Sequence, residues 1–197
     1  MTPLIKEKFE FFFRHPTISP KGGLDNNFST LYLLRRDVAM CFGFNPNNGT
    51  KLEPGYQALW PGVMGIFAGI DLLSKFAEGD SKGKVGERFQ NYISRYISRS
   101  NAFEIYGLRN SMLHSFGLYN ESKNGVQRFV LAGGNFGDQL VTQLSETTIG
   151  VDILKLYGLF ENSIPAFQAA LESGHFSIVL FEEMFEKYGG IQIKRQV

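Results

Sequence analysis

The sequence predicts a mainly α protein: a helical bundle with a small β-hairpin insertion near 126–145. Three observations carry that expectation. Apolar residues recur at helical spacing in seven separate segments. One of them, Leu59 to Leu73, is apolar almost all round, which suits a helix in the middle of a bundle. The pattern switches once, at Val126 to Ala132, to a β-type run.

In chain order, residues 4–14 form a short amphipathic helix, stopped by Pro16, Pro20 and Gly22-Gly23. Asp25, Asn26 and Asn27 then offer N-caps for a second helix over 28–42, with Phe28, Leu31, Leu34 and Val38 on one face. The stretch GFNPNNGTKLEPG, 43–55, is a loop. A third helix runs over 56–76, with Pro61 tolerated near its first turns. After the turn EGDSKGKVG, a fourth helix spans 85–99 and a fifth 102–117. The core helices thus occupy 28–117. Val126–Ala132 is expected to pair back onto Leu140–Leu144 through the turn GGNFGD, 133–138. Two C-terminal helices fill 151–188: one over 151–171 with Pro165 as a kink or break, one over 175–188 ending at Gly189-Gly190. No repeat or low-complexity tract interrupts this order, and residues 1–197 read as a single domain.

Composition narrows the class. Twenty Lys+Arg face 19 Asp+Glu for a net charge of +1, which excludes a globally basic nucleic-acid coat and an acidic solvating tail. Hydrophobic residues make up 43% and 19 are Phe, enough for a core without disulfide or metal staples. Cys41, the one cysteine, sits in AMCFGF and reads as a small buried hydrophobe. The N-terminal MTPLIKEKFEFFF breaks its apolar run with charges, unlike a signal peptide. The longest apolar stretch, Leu59 to Ile70, is about 12 residues against the roughly 20 that span a bilayer. A cytoplasmic protein without membrane contact is expected.

Most catalytic signatures are missing. The three histidines, His15, His114 and His175, lie in separate segments without HxxxH or HExxH spacing, so neither a metal nor a cofactor is expected. GxSxG, the P-loop and a strand-borne GxGxxG do not occur.

The fifth helix, EIYGLRNSMLHSFGLY, holds the one constellation with chemical use. Asn110 and His114 are one turn apart and share a face, while Arg109 lies about 140° from His114 with a side chain long enough to reach round. Histidine can move a proton near neutral pH, arginine grips two phosphate oxygens, and an amide orients a reacting group. The same spacing also fits a buried, hydrogen-bonded histidine with an arginine at the bundle rim.

The run RNSMLH, 109–114, inside a helical bundle resembles the signature of the HEPN superfamily, Arg-x4-His with a polar residue after the arginine. FAGIDLLSKF, 67–76, and GERFQNYISRYI, 86–97, are similar to the helices that lead to the motif in one branch of that superfamily; the resemblance covers 56–119 well and the rest by gross architecture. It implies an all-helical homodimer with two motifs facing across a cleft. It also implies a metal-independent endoribonuclease of a toxin or defence system, with an antitoxin or nucleotidyltransferase-like protein as partner. On that pattern His114 is general acid or base for attack of a ribose 2′-hydroxyl on its phosphate, Arg109 stabilises the phosphorane, and Asn110 orients phosphate or arginine. Other members are inactive and serve as RNA-, nucleotide- or protein-binding dimerisation modules, which is the alternative function.

A surface for RNA is expected on the fourth helix. Arg88, Arg95 and Arg99 fall on one stripe with Tyr92 between them and Lys84 at its start, a basic track with an aromatic. An ordinary solvated face with packed stems gives the same pattern. Asp71, at the end of the third helix's apolar run, is either a buried partner for one of these arginines or the start of a solvent-facing end. Glu87 reads as an exposed ion-pair partner. The glycines of GGNFG read as a hairpin turn before a phosphate cradle, and FEFFF and FEEMFEKY as core or dimer interface.

Overall fold

The computed structural model describes residues 2–15, 27–53, 57–81, 84–115, 117–122, 125–134 and 136–192. Seven helices and six short strands among them make the protein mainly α, with a small sheet. The chain groups into two compact units, Met1–Asp80 with Phe167–Val197, and Ser81–Ala166. Pro16, Pro20, Gly22, Gly23, Asp25, Asn26 and Tyr56, expected as breakers, caps or a helix end, lie outside the described residues.

In the first unit, α1 (Pro3–Phe12) begins behind Thr2, whose Oγ1 accepts the Ile5 N–H, with proline at the first helical position. Strand β1 (Asn27–Ser29) precedes α2 (Thr30–Cys41). Ser29 joins both ends: its Oγ caps α2 by accepting from the Tyr32 N–H (3.2 Å), and its hydroxyl donates to the Phe12 carbonyl (2.8 Å). The cap is thus Ser29, and Asn27, expected to cap, is a strand residue. Helix α3 (Leu59–Glu78) lies close on α2, because a Cβ at Gly65 would stand 2.6 Å from Val38 Cγ2. The unit closes with α7 (Ile178–Tyr188), capped by Ser177, and β6 (Gly190–Gln192), which pairs antiparallel with β1. The Phe-rich ends of the chain meet in one core: Phe12 stacks on Phe76 and Phe9 lies on Phe181, both with centroids 4.3 Å apart. FEFFF and FEEMFEKY thus supply core residues, with Phe9, Phe12, Phe13, Phe181 and Met184 buried.

Helix α3 corrects one argument. At 20 residues and a mean hydropathy of 1.2 over its most apolar window, it is long and apolar enough to cross a membrane by length and composition. Its length does not settle the matter, but 56% of that window is buried inside the protein, the pattern of a core helix.

The second unit contains α4 (Val85–Tyr96), α5 (Ala102–Ser115), strands β2 (Tyr119–Ser122), β3 (Gly125–Ala132), β4 (Val141–Gln143) and β5 (Thr148–Asp152), and the start of α6 (Ile153–Glu172). The expected hairpin between 126–132 and 140–144 is not formed. The sheet order is β2-β3-β5-β4, with β3 and β5 parallel and the other pairs antiparallel. Residues 133–134 and 136–140 lie between β3 and β4 in the chain, and β5, which follows β4, inserts between those two strands. Phe136 of that connection fills the space a side chain at Gly150 would take, and Asp152 accepts the Gly134 N–H through Oδ2 (3.1 Å). The connection is therefore fastened to β5 rather than closed as a tight turn. Residues 148–152, partly read as helix, form a fully paired strand. Helix α6 begins behind it, with Asp152 Oδ1 accepting the N–H groups of Leu154 and Lys155. It runs unbroken through Pro165, correcting the expected break.

Candidate functional site

Helix α5 is pinned from two sides within its unit. Ile105, Leu108 and Met112 are fully buried. On the sheet side the absent side chain of Gly107 admits Gln127 and Phe129: a Cβ there would stand 2.8 Å from Gln127 Oε1. On the α4 side the Arg109 guanidinium lies 5.7 Å from the centre of the Phe89 ring and 6.0 Å from that of Tyr106. What these contacts leave open is the side of α5 bearing Asn110 and His114, with Tyr106, packed against Gly86 and Phe89 of α4, at its margin.

That side forms one wall of an open cleft of about 400 Å³, lined by Tyr106, Asn110, Ser111, His114, Tyr119, Asn120 and Glu121. The opposite wall is β2, an edge strand of its sheet. Strand geometry explains how it contributes. The Phe129 N–H donates to the Leu118 carbonyl and the Arg128 N–H to the Thr147 carbonyl, both at 2.7 Å. Tyr119 and Arg128 are therefore a non-hydrogen-bonded pair across the strands, and the backbone N–H and C=O groups of Tyr119 and Glu121 point to the open edge. Asn120 turns to the α5 side, where its Nδ2 donates to Gln127 Oε1 at 3.3 Å.

The expected trio is brought together in part. Asn110 and His114 share the cleft, as their one-turn spacing requires, and His114 is exposed. The half-buried Arg109 does not line it. Its guanidinium reaches the site through Asn110, with Nη1 donating to Oδ1 at 3.1 Å. Asn110 thus links the arginine to the cleft. Tyr106, Tyr119 and Glu121 are cleft residues that sequence reasoning did not select. Tyr106 stands four residues before Asn110, so helical spacing alone could have found it, whereas Tyr119 and Glu121 enter through a strand that was not foreseen.

The expected RNA track on α4 is corrected at two of its five residues, Arg88 and Tyr92. Arg88 is 5% exposed and its Nη1 donates to the Ser81 carbonyl at 3.4 Å; Tyr92 is 2% exposed and its hydroxyl bonds Ser163 Oγ at 3.1 Å. Burial pushes the Tyr92 hydroxyl far above the usual tyrosine range. Both residues flank Phe89 and Ile93, which are fully buried, so Arg88 and Tyr92 lie beside the inward face of α4. Arg95 and Lys84 are exposed, and Arg99 is exposed beyond the end of the helix at Tyr96. Asp71 is half-buried on α3 of the first unit, and Glu87 is exposed in the first turn of α4.

The remaining reactive groups stand elsewhere. His15 is exposed, and His175, in a turn before α7, shares a hydrogen bond with Ser173 Oγ at 2.7 Å. Cys41 is half-buried, and that burial, with the nearby Asp37 charge, raises its thiol pKa. Among the described residues, no three His, Cys, Asp or Glu side chains come together as metal ligands would. A second cleft, about 470 Å³, lies in the same unit between Ser98, Asn101, Gln139 and Lys155 and contains none of the predicted residues.

Compared with protein-family models, curated proteins and solved structures, the chain matches none.

Proposed function

We propose that this protein is a HEPN-like, metal-independent endoribonuclease that works as a homodimer in a toxin or defence setting. The observation that carries the reading is the cleft in which an exposed His114 stands one helical turn from Asn110, with Arg109 held to Asn110 Oδ1 at 3.1 Å. In the proposed reaction the ribose 2′-oxygen bonds to the adjacent phosphorus and the bond from phosphorus to the 5′-oxygen breaks. The 2′-hydroxyl proton goes to a base, and the leaving 5′-oxygen takes a proton from an acid, giving a 2′,3′-cyclic phosphate and a 5′-hydroxyl end. His114 fills one of these roles and the partner's His114 the other. Asn110 donates its amide N–H to a phosphate oxygen while its carbonyl holds Arg109, whose charge lies behind the developing phosphorane.

A second reading rests on the arginine. Its guanidinium sits against Phe89 and Tyr106 rather than in the cleft. That placement favours a non-catalytic module that binds RNA, a nucleotide or a protein partner at the same cleft.

Cleavage of a mixed RNA pool in excess EDTA, wild type against His114→Ala, separates the two. Cyclic phosphate ends produced by the wild type and lost in a folded, dimeric variant are the expected result. A loss of about 10²–10⁴ in rate is the scale of one general acid–base group. A folded wild-type dimer that leaves every RNA in the pool intact overturns the nuclease reading in favour of the binding module.

A further inference from the structure

With Arg88 and Tyr92 of the α4 stripe buried and only Lys84, Arg95 and Arg99 left exposed, an RNA-binding reading gains from another surface beside the cleft, and the outer face of the sheet carries one. Tyr119 and Arg128 are directly opposed across β2 and β3. As a non-hydrogen-bonded pair their Cβ atoms stand at the short end of the roughly 4.5–5.5 Å range. Tyr119 is 45% exposed and Arg128 is exposed, and among the described residues no side-chain hydrogen bond or ion pair holds the Arg128 guanidinium. Val130, on the same face two residues on, is 41% exposed, and the Phe136 ring lies over Gly150 in the neighbouring strand.

From this we infer that the Tyr119–Arg128 pair is a docking platform for single-stranded RNA, taking the nucleotide next to the one held at His114. Two features point to that occupant. An exposed aromatic ring paired with an unengaged guanidinium stacks a base of any sequence and grips its phosphate. The platform is also continuous with the cleft, because Tyr119 belongs to both: its backbone faces the cleft along the free edge of β2 and its ring lies on the outer face. Glu121 is the one adverse group. Its Oε2 lies 3.5 Å from the Tyr119 hydroxyl on the same face, so the phosphate sits toward Arg128 and away from it. The inference rests on the ribonuclease reading for its choice of substrate.

The test uses the full chain with a fluorescein-labelled oligouridylate, binding being read by anisotropy in the His114→Ala background and cleavage by KM and kcat in the wild-type background. Tyr119→Ala is expected to weaken binding about five- to a hundredfold, the scale of one stacked base, while Tyr119→Phe retains it. Arg128→Ala is expected to lower the slope of log affinity against log salt by about 0.7, the signature of one lost phosphate contact on a single strand. Glu121→Gln is expected to tighten binding. In cleavage these changes fall on KM, whereas His114→Ala removes kcat. Circular dichroism checks the fold of each variant, all three positions being exposed. If the wild type cleaves RNA but Tyr119→Ala and Arg128→Ala leave KM, affinity and salt slope unchanged, the platform is overturned and the ribonuclease reading stands. If the wild type does not cleave, yet binding is present and lost in both variants, the ribonuclease reading fails and the platform stands. Absence of both binding and cleavage overturns both.

Discussion

The two units spend their aromatic side chains differently. In Met1–Asp80 with Phe167–Val197, the rings of Phe9, Phe12, Phe13, Phe76, Phe167 and Phe181 turn toward one another, and each is less than 10% exposed. In Ser81–Ala166, Tyr106 instead borders an open cleft beside Asn110 and His114, the Tyr119 ring lies exposed on the outer face of the sheet, and the Phe89 ring faces the Arg109 guanidinium. The first arrangement maximises apolar area removed from water. The second leaves polar groups unspent at a surface, which is where binding and proton transfer have something to work with. The residues of the proposed site all belong to the second unit, and the aromatic core of the first is expected to act on stability.

The sharpest way to break this contrast is to open the first core. Phe12 is fully buried, stacks on Phe76 and meets Phe13 edge to face. Phe12→Ala should cost about 3–5 kcal/mol, the usual range for truncating a buried phenylalanine. Urea unfolding followed by circular dichroism measures it, with the drop appearing in the midpoint rather than in the slope. A cost below about 1 kcal/mol would mean that this cluster collapses easily on truncation, and that the close-packed core described for the first unit is wrong.

A smaller change tests the other half of the contrast, that Tyr92 is structural. Tyr92→Phe removes a hydroxyl whose partner, Ser163, still donates to the Phe160 carbonyl at 2.6 Å, so no buried group is stranded. The expected loss is about 1 kcal/mol, one net hydrogen bond, with oligonucleotide affinity unchanged. If affinity fell while stability held, the Tyr92 hydroxyl would be an RNA contact after all and the inward placement of Tyr92 would be lost.

Tyr92 also shows where the sequence could be read and where it could not. Helical spacing located all seven helices to within a few residues, because apolar periodicity over ten or more positions is a long signal. Periodicity groups residues on a face but does not say which face points inward. Arg88 and Tyr92 share a stripe, and both the basic-track and the solvated-face readings of that stripe leave it outward; the adjacent Phe89 and Ile93 are the contrary signal. The strands were hardest. At three residues each, β1 and β6 have no period to detect, and β5 follows a turn whose partner is chosen by Phe136 covering Gly150, a contact visible only in space. On α5, the shared face of Asn110 and His114 follows from i,i+4 spacing, whereas the direction taken by Arg109 depends on rings from α4 and its own helix.

The smallest expected effect lies at the edge of the first core and is a pH effect. The Tyr188 hydroxyl donates to Asp80 Oδ2 at 2.9 Å, and the Lys187 ammonium lies 3.4 Å from the same oxygen. The tyrosine hydrogen bond first, and then the lysine, hold the Asp80 carboxyl below its ordinary value of 3.8. A carboxylate depressed on folding stabilises the folded form at every pH above its unfolded value. That contribution starts to fade as pH drops to about 3.8 and is gone once pH passes below the folded value. Asp80→Asn should therefore lower Tm slightly at pH 7, and the gap to the wild type should close on acidification through that window. Thermal scans of both proteins between about pH 7 and pH 3 measure the gap. Because Asp80 and Lys187 are both partly solvated, the gap should also shrink in high salt. A gap that widened on acidification would mean that the carboxylate opposes folding, and that Tyr188 rather than its charge partner is what fastens α7 at this end.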